Sequence, residues 1–445
     1  MSLFLAGIAR ADSTLVDFSI GIRPMTHAGS GFLHSFTPTT PADNLIAPLK
    51  PQLFRDWPVG GDGGGALNNY NRATALGAKM QVVVSDGYSN YTSFPGDNND
   101  YSGWENYCKN LALQATLKAG PGKFQYDIWN EPDIGYFWSR PESQFLETWK
   151  RGYQTIRTID PLAIIVGPSL SNYNSVSEID AARTQFKVFV DYAKTNNVLP
   201  NIISWHEFSG NFPSRVDDAR AYLAQNNINI NRFSLNEIVS STDMTRPGVL
   251  PRYFAQLERA GIESVTHACW VESPTGIDNG SNQSLDGLLT ADTKQPRSTW
   301  WTYERYGRME GTTVQTTNTG TTLDAVASFE DGAAYILLGR YRSTTATTAD
   351  VLFDHLDFVT NLTRNGKIHV LAERIDDSGF NASAGPVTVF DADYSVIGNQ
   401  FILSLPQFGS YDSYFLTLTT PTPEPTAAVI SLSLFLLTSR RRRIE

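Results

Sequence analysis

The chain has 445 residues, of which 41% are apolar and 12% aromatic, and a formal net charge of −10. That length supports two folded domains rather than one. The mild acidic balance, with no internal basic stripe, excludes nucleic acid as the partner class. The two cysteines, Cys108 and Cys269, form no disulfide framework, metal spacing or CxxC pair, and read as small buried apolar residues.

In chain order, residues 1–11 read as a signal-peptide remnant, because a short apolar run ends in Ala9-Arg10-Ala11, a small-x-small cleavage pattern. Eight short apolar runs follow, at 31–34, 51–55, 79–86, 124–131, 163–167, 202–206, 232–237 and 264–270. Between and after them, apolar residues recur at helical spacing over 104–118, 142–159, 180–196, 216–225, 250–260 and 298–309. Continuous β-branched runs suit parallel strands covered on both faces. Eight strand–helix units over 12–311 therefore predict an α/β fold, a (β/α)8 TIM barrel. The rival is an open doubly wound sheet, but no glycine-rich phosphate fingerprint follows any strand. The glycine-rich stretch 60–65 has neither the dinucleotide pattern nor the P-loop lysine and reads as a loop.

From 312 to 419 the chain turns Thr-rich and helix-poor. Strand patterns at 325–329, 334–338, 368–371 and 400–405 predict a small all-β sandwich. No exposed aromatic row is legible there, and it reads as an accessory domain whose role, support for the barrel or carbohydrate binding, stays open. Residues 420–445 begin with a stiff proline spacer. An apolar stretch then runs over 427–438, and four arginines, Arg440 to Arg443, close the chain. The order of Pro423-Glu424-Pro425, apolar stretch and arginine cluster resembles the bacterial PEP-CTERM sorting signal. That resemblance implies transient membrane association during export, and a secreted or cell-surface location.

In a TIM barrel the C-terminal ends of the strands face the active site. Polar residues collect at those positions: His34, Arg55, Asp86, Asn130, Glu131, His206, Asn236 and Glu237, with Trp270 beside them. Two of them stand out, because Asn130-Glu131 and Asn236-Glu237 each put a glutamate behind an asparagine, on the fourth and seventh predicted strands. Glycoside hydrolysis needs two carboxyl groups flanking one bond, one protonated and one ionised. The six histidines show no metal-ligand spacing and no Gly-x-Ser-x-Gly elbow is present, so neither a metal, an organic cofactor nor an esterase nucleophile is expected. Asp127 falls on the interior of a strand and reads as structural, and Asp133 as a loop residue.

Trp129-Asn130-Glu131-Pro132-Asp133 resembles the acid/base motif of the clan A retaining glycoside hydrolases, and Asn236-Glu237 matches the nucleophile position of that clan. Within the clan the chain is most similar to glycoside hydrolase family 39 over residues 31–309, through Phe32-Leu33-His34, Trp205-His206 and the stretch 284–289. The resemblance implies Glu131 as acid/base and Glu237 as nucleophile in a two-step double displacement. It also implies Asn130 on a sugar hydroxyl, His206 near Glu237 helping to keep it ionised, and Trp270 under the sugar. His34, Arg55 and Asn236 complete the candidate substrate contacts. Phe208 stands where relatives often carry a tyrosine. The implied substrate is a plant or algal type polysaccharide or oligosaccharide, cut in the manner of a β-xylosidase. The alternatives are an endo-acting glycanase of the same clan or a non-catalytic carbohydrate-binding surface protein. Retention predicts a carboxyl separation of about 5–5.5 Å.

Overall fold

The structure, a computed structural model, describes residues 12–422 apart from 35, 62, 89–90 and 343–346. The leader-like segment 1–11 and the sorting tail from 423 onward lie outside the described residues. A first strand, β1 (Ser13–Pro24), precedes the barrel. Eight parallel strands then close on themselves in sequence order: β2 (Gly31–Leu33), β3 (Leu53–Asp56), β4 (Lys79–Val83), β5 (Phe124–Asp127), β6 (Ile164–Leu170), β7 (Ile202–Glu207), β8 (Phe233–Ile238) and β9 (Ser264–His267). Helices α1 (Asp43–Ile46), α2 (Ala66–Ala75), α3 (Ser102–Ala119), α4 (Glu142–Ile159), α5 (Gln185–Thr195), α6 (Pro213–Gln225) and α7 (Leu250–Ala260) follow β2 to β8 in turn, and α8 (Ser298–Arg308) follows β9. The predicted TIM barrel is therefore present, strand for strand.

Local chemistry accounts for these elements. Met80, Val82 and Val83 on β4 and Ile202 and Ile203 on β7 are all buried, as parallel strands with both faces covered require. At Gly31 an added Cβ would lie 1.8 Å from the Val265 carbonyl oxygen, so only glycine allows β2 to meet β9 and close the barrel. Helix α7 stops at Gly261, whose φ of +62° is left-handed and returns its N–H to the last turn. Phe254 on α7 packs between Tyr303 and Tyr306 of α8, with ring centroids 5.0 and 4.0 Å away. Truncating such a ring costs about 3–5 kcal/mol.

The remaining strands are β10 (Thr312–Asn318), β11 (Leu323–Glu330), β12 (Ala333–Arg340), β13 (Thr347–Asp354), β14 (Lys367–Ile375), β15 (Val387–Ser395), β16 (Phe401–Phe408) and β17 (Ser413–Thr419). With β1 they form one nine-stranded sheet in the order β15-β14-β17-β12-β11-β10-β1-β13-β16. Strands from both ends share one apolar core, including Val16, Ile336, Val351, Val370 and Leu403, so the sheet folds over itself like a sandwich. Here the expected boundary is corrected. Residues 13–24 do not belong to the barrel: β1 pairs antiparallel with β10 and parallel with β13. Its physical reason is period-two burial, with Thr14, Val16 and Phe18 inward, which suits a one-faced sheet.

The two units touch through α7 and α8. Val326, Leu337 and Phe415 of the sheet join the barrel's apolar core. Arg305 on α8 grips Glu373 on β14 with two bonds of 2.9 and 2.8 Å. Cys108 is buried on α3, whereas Cys269 lies just beyond β9 and is only half-buried; both are free thiols. No helix among the described residues is long and apolar enough to cross a membrane.

Candidate active site

Strand β5 ends at Asp127, and the chain leaves the ladder before it reaches Glu131. The Glu131 N–H donates to the Ser169 carbonyl at 3.0 Å, and its own carbonyl accepts from Ile134 at 3.0 Å. The Trp129 indole donates to the Phe137 carbonyl at 3.1 Å and its ring packs against Trp104 and Trp138. These ties hold Glu131 at φ +45°, in the left-handed region. His34, Ser169 and Val239 share that conformation, at φ +53°, +55° and +70°. For a β-branched valine this is a true outlier, and such residues cost of order 1–3 kcal/mol each. All four cluster at the C-terminal rim.

The register slips between Leu235 and Ile238 on β8, and between Pro168 and Leu170 on β6. Such bulges re-aim side chains at a rim. Asn236 turns fully into the barrel, while the Glu237 side chain keeps 14% of its surface open.

Beneath the two glutamates sits Asp127, fully buried. It accepts four hydrogen bonds: from Arg55 Nε at 3.0 Å, Arg55 Nη2 at 2.8 Å, Ser169 Oγ at 2.6 Å and Asn236 Nδ2 at 2.9 Å. Arg55, 1% exposed, passes this order upward. Its Nη1 donates to Glu237 Oε1 at 3.0 Å and its Nη2 to Asn130 Oδ1 at 2.7 Å. Burial opposes a charge on Arg55, but the anions Asp127, Glu237 and Asp86 hold its pKa above the ordinary value.

His206, also buried, joins the two glutamates. Its Nδ1 lies 2.9 Å from Glu131 Oε1 and 3.8 Å from Glu237 Oε2. One oxygen of each carboxylate and one imidazole nitrogen all fall within 4.8 Å of one another. Burial lowers the His206 pKa, yet Glu237 and Glu131 more than reverse this and leave it raised. Burial raises the Glu131 carboxyl, yet the hydrogen bond and charge of His206, with Arg55, leave it lowered. Each group thus favours the charged form of the other. The same spacing suits a cation, but Arg55 already places a permanent positive charge against Glu237.

The other predicted residues fall as follows. His34 lies flat on Trp57, centroids 3.7 Å apart, with Nδ1 3.2 Å from Asp56 and Nε2 3.9 Å from Asp86. The Tyr91 hydroxyl donates to Asp86. Trp270 is half-buried, its indole donates to the Val239 carbonyl at 3.0 Å, and Phe208 stands between it and His206. Asn130 keeps its Nδ2 without a protein acceptor among the described residues, as a donor to a ligand requires. Two expectations change. Asn236 has no access to a ligand, because both amide hydrogens go to Asp127 and Ser169 inside the barrel. His206 sits closer to Glu131 than to Glu237, since Arg55 already occupies the other side of Glu237. The sequence reading did not single out Ser169, Trp57 or Tyr91. Asp127 was visible as a charge on a buried strand, a pattern that needs a partner.

No protein-family model matches the chain. In sequence it is similar to a 3-O-α-D-galactosyl-α-L-arabinofuranosidase of Bifidobacterium longum subsp. longum, 25% identical over 374 residues, which cover 77% of this chain and 30% of that protein. It is also similar to a 3-O-β-L-arabinopyranosyl-α-L-arabinofuranosidase of Bifidobacterium pseudocatenulatum, 23% identical over 289 residues, 60% of this chain and 28% of that one. The matched regions thus span less than a third of the length of these curated relatives. Among solved structures, N2152 from Neocallimastix frontalis superposes with a TM-score of 0.79 at 25% identity, covering 93% of this chain and 100% of that one. A monomeric β-xylosidase from Caulobacter crescentus gives 0.65 at 12% identity over 93% and 100%. At that identity the likeness is one of fold, a barrel with a β-sheet domain. The comparisons relate the chain to glycoside hydrolases, with arabinofuranosidases as its sequence relatives and family 39 enzymes among its structural neighbours.

Proposed function

We propose that this barrel is a retaining glycoside hydrolase. Glu237 attacks the anomeric carbon while Glu131 protonates the leaving oxygen. The glycosyl ester on Glu237 is then cleaved by water, with Glu131 as base. One observation carries this reading: an oxygen of Glu131 and an oxygen of Glu237 lie within 4.8 Å. Retaining enzymes hold their carboxyls about 5–5.5 Å apart, whereas inverting ones need ~6.5–9.5 Å to admit water.

The surrounding groups divide the work. Arg55 fixes Glu237 as an oriented anion. Asn130 Nδ2 points a free donor at a sugar hydroxyl. Glu131 needs a proton, and His206 holds one 2.9 Å away, so the pair carries it together and delivers it when the glycosidic oxygen arrives. Sequence relatedness favours α-L-arabinofuranosides over the β-xylosides implied by family resemblance, because the structural xylosidases share only 12% identity. The two terminal segments support action outside the cytoplasm.

The test pairs aryl α-L-arabinofuranosides and β-D-xylosides with methanolysis, reading the product anomer by NMR. Retained configuration is expected, with the arabinofuranoside the better substrate. Glu131→Gln should lower kcat by about 10²–10⁴-fold, and Glu237→Gln by on the order of 10⁴-fold or more. Inverted product refutes the mechanism. Binding without turnover by the wild-type chain across a broad glycan panel would make the barrel a carbohydrate-binding surface protein instead.

A further inference from the structure

An acid/base delivers its proton to the leaving group, so the leaving group must lie on the Glu131 side of the cleft. Glu131 opens a strap that runs to 142. Ile134 donates to the Glu131 carbonyl at 3.0 Å, and Phe137 and Trp138 donate to the Ile134 carbonyl at 2.9 and 2.8 Å. Of the strap's large apolar side chains, Trp138 turns inward and keeps 4% of its surface, whereas Ile134 is 39% exposed. Tyr136 is the most open of them, at 71%. A single exposed ring is ordinary on a protein surface. This ring is held in place: Phe137 meets it edge-on at 4.9 Å, and Tyr91 lies 5.9 Å away at 41°. The Tyr91 hydroxyl reaches Asp86, which flanks His34 at the mouth. On the same strap, Asp133, Gly135 and Arg140 line an open hollow of about 400 Å³, with Glu178 and Gln185 also in its wall. That is the size of a ligand site.

We infer that Tyr136 is the stacking platform of a leaving-group subsite, and that the group leaving from Glu131 is a sugar residue rather than a small alcohol. The inference rests on the assignment of Glu131 as acid/base. The chemistry is that of an amphipathic ring: the C–H face of a sugar covers the tyrosine, and its hydroxyls stay at the polar rim.

Two measurements test this, one without turnover. In a Glu237→Gln background, calorimetry follows the binding of arabinan- and xylan-derived oligosaccharides. Adding Tyr136→Ala should weaken the best binder about five- to tenfold, and Tyr136→Phe should leave it nearly unchanged. In the active chain, Tyr136→Ala should raise KM for oligosaccharides and leave hydrolysis of the glycosyl fluoride, which has no leaving-group sugar, as in wild type. Unchanged oligosaccharide affinity, no binding of any oligosaccharide, or an equal loss on the fluoride overturns the platform. A wild-type chain that cleaves nothing, yet loses oligosaccharide affinity with Tyr136→Ala, overturns the catalytic reading and leaves the platform standing.

Discussion

The two rims of the barrel use charge in opposite ways. At the C-terminal rim, Arg55, Asp127, Glu131, His206 and Glu237 form a web that is largely out of solvent, on backbone bent into the left-handed region at four residues. At the N-terminal rim, Lys79 opens β4, while Arg232 and Glu263 stand just before β8 and β9. There Glu263 bonds Lys79 at 2.8 Å and Arg232 at 2.6 and 2.7 Å, in a regular and partly open surface cluster. One rim holds fixed charges against desolvation and strain so that they need not reorganise during chemistry. The other ties strand ends together at little cost. The same fold thus separates a poised end from a fastened one, and variants at each rim should fail differently.

The sharpest way to break the poised rim is Asp127→Ala. It leaves Arg55 charged and buried with one partner fewer, and frees Asn236 and Ser169 from their common acceptor. Removing one member of a buried ion pair costs about 3–5 kcal/mol. For a chain of this size that is a fall in Tm of roughly 3–5 °C. Urea unfolding measures it, and a cost below ~1 kcal/mol would mean that the web is dispensable for folding. Activity should fall as well, because Arg55 loses the anchor that aims it at Glu237.

A milder change separates charge from architecture at the same rim. His206 is raised above its ordinary 6.5, burial notwithstanding, by Glu237 and Glu131, while Glu131 is lowered below 4.5 by His206. The ion pair they form is therefore complete between those values. Its contribution to stability fades as pH falls through the lowered Glu131 value, and again as pH rises through the raised His206 value. The proton for Glu131 follows the same limit, so the alkaline limb of kcat/KM should lie above pH 6.5. In His206→Gln that limb should move toward acid by about one pH unit. A limb that stays in place, with kcat lowered uniformly, would reduce His206 to a scaffold.

This contrast explains which parts of the molecule were legible in the sequence. The barrel could be counted because its strands are continuous apolar runs and its helices repeat at 3.6 residues, both local patterns. The two glutamates could be placed because Asn130-Glu131 and Asn236-Glu237 end such runs. What the sequence hid is non-local. Asn236 reads as a rim residue until the β8 bulge turns it inward, and nothing in its neighbours announces that slip. The preference of His206 for Glu131 depends on Arg55, 151 positions earlier, already filling the other side of Glu237. Strand β1 shows a clear alternation, yet its partners β10 and β13 lie some 300 residues away. Local pattern fixes which residues are inward; it does not say against what.

The smallest effect belongs to the fastened rim, and it carries the clearest pH signature. Burial raises the Glu263 carboxyl, but the bonds and charges of Arg232 and Lys79 more than reverse this and hold its pKa at about 2, against 4.5 in an unfolded chain. A depressed carboxyl favours folding fully above the unfolded value, and the gain is lost as pH falls from 4.5 toward 2. Lys79 and Arg232 are 52% and 37% exposed, so solvent screens most of the attraction. Glu263→Gln should thus cost only about 1 kcal/mol at neutral pH. That cost should shrink in high salt and vanish near the lower pKa, with kcat unchanged throughout. An equal cost at both ends of the pH range would assign the loss to packing at the base of β9 rather than to charge. A fall in kcat would mean that the two rims are mechanically linked, against the separation argued from their geometry.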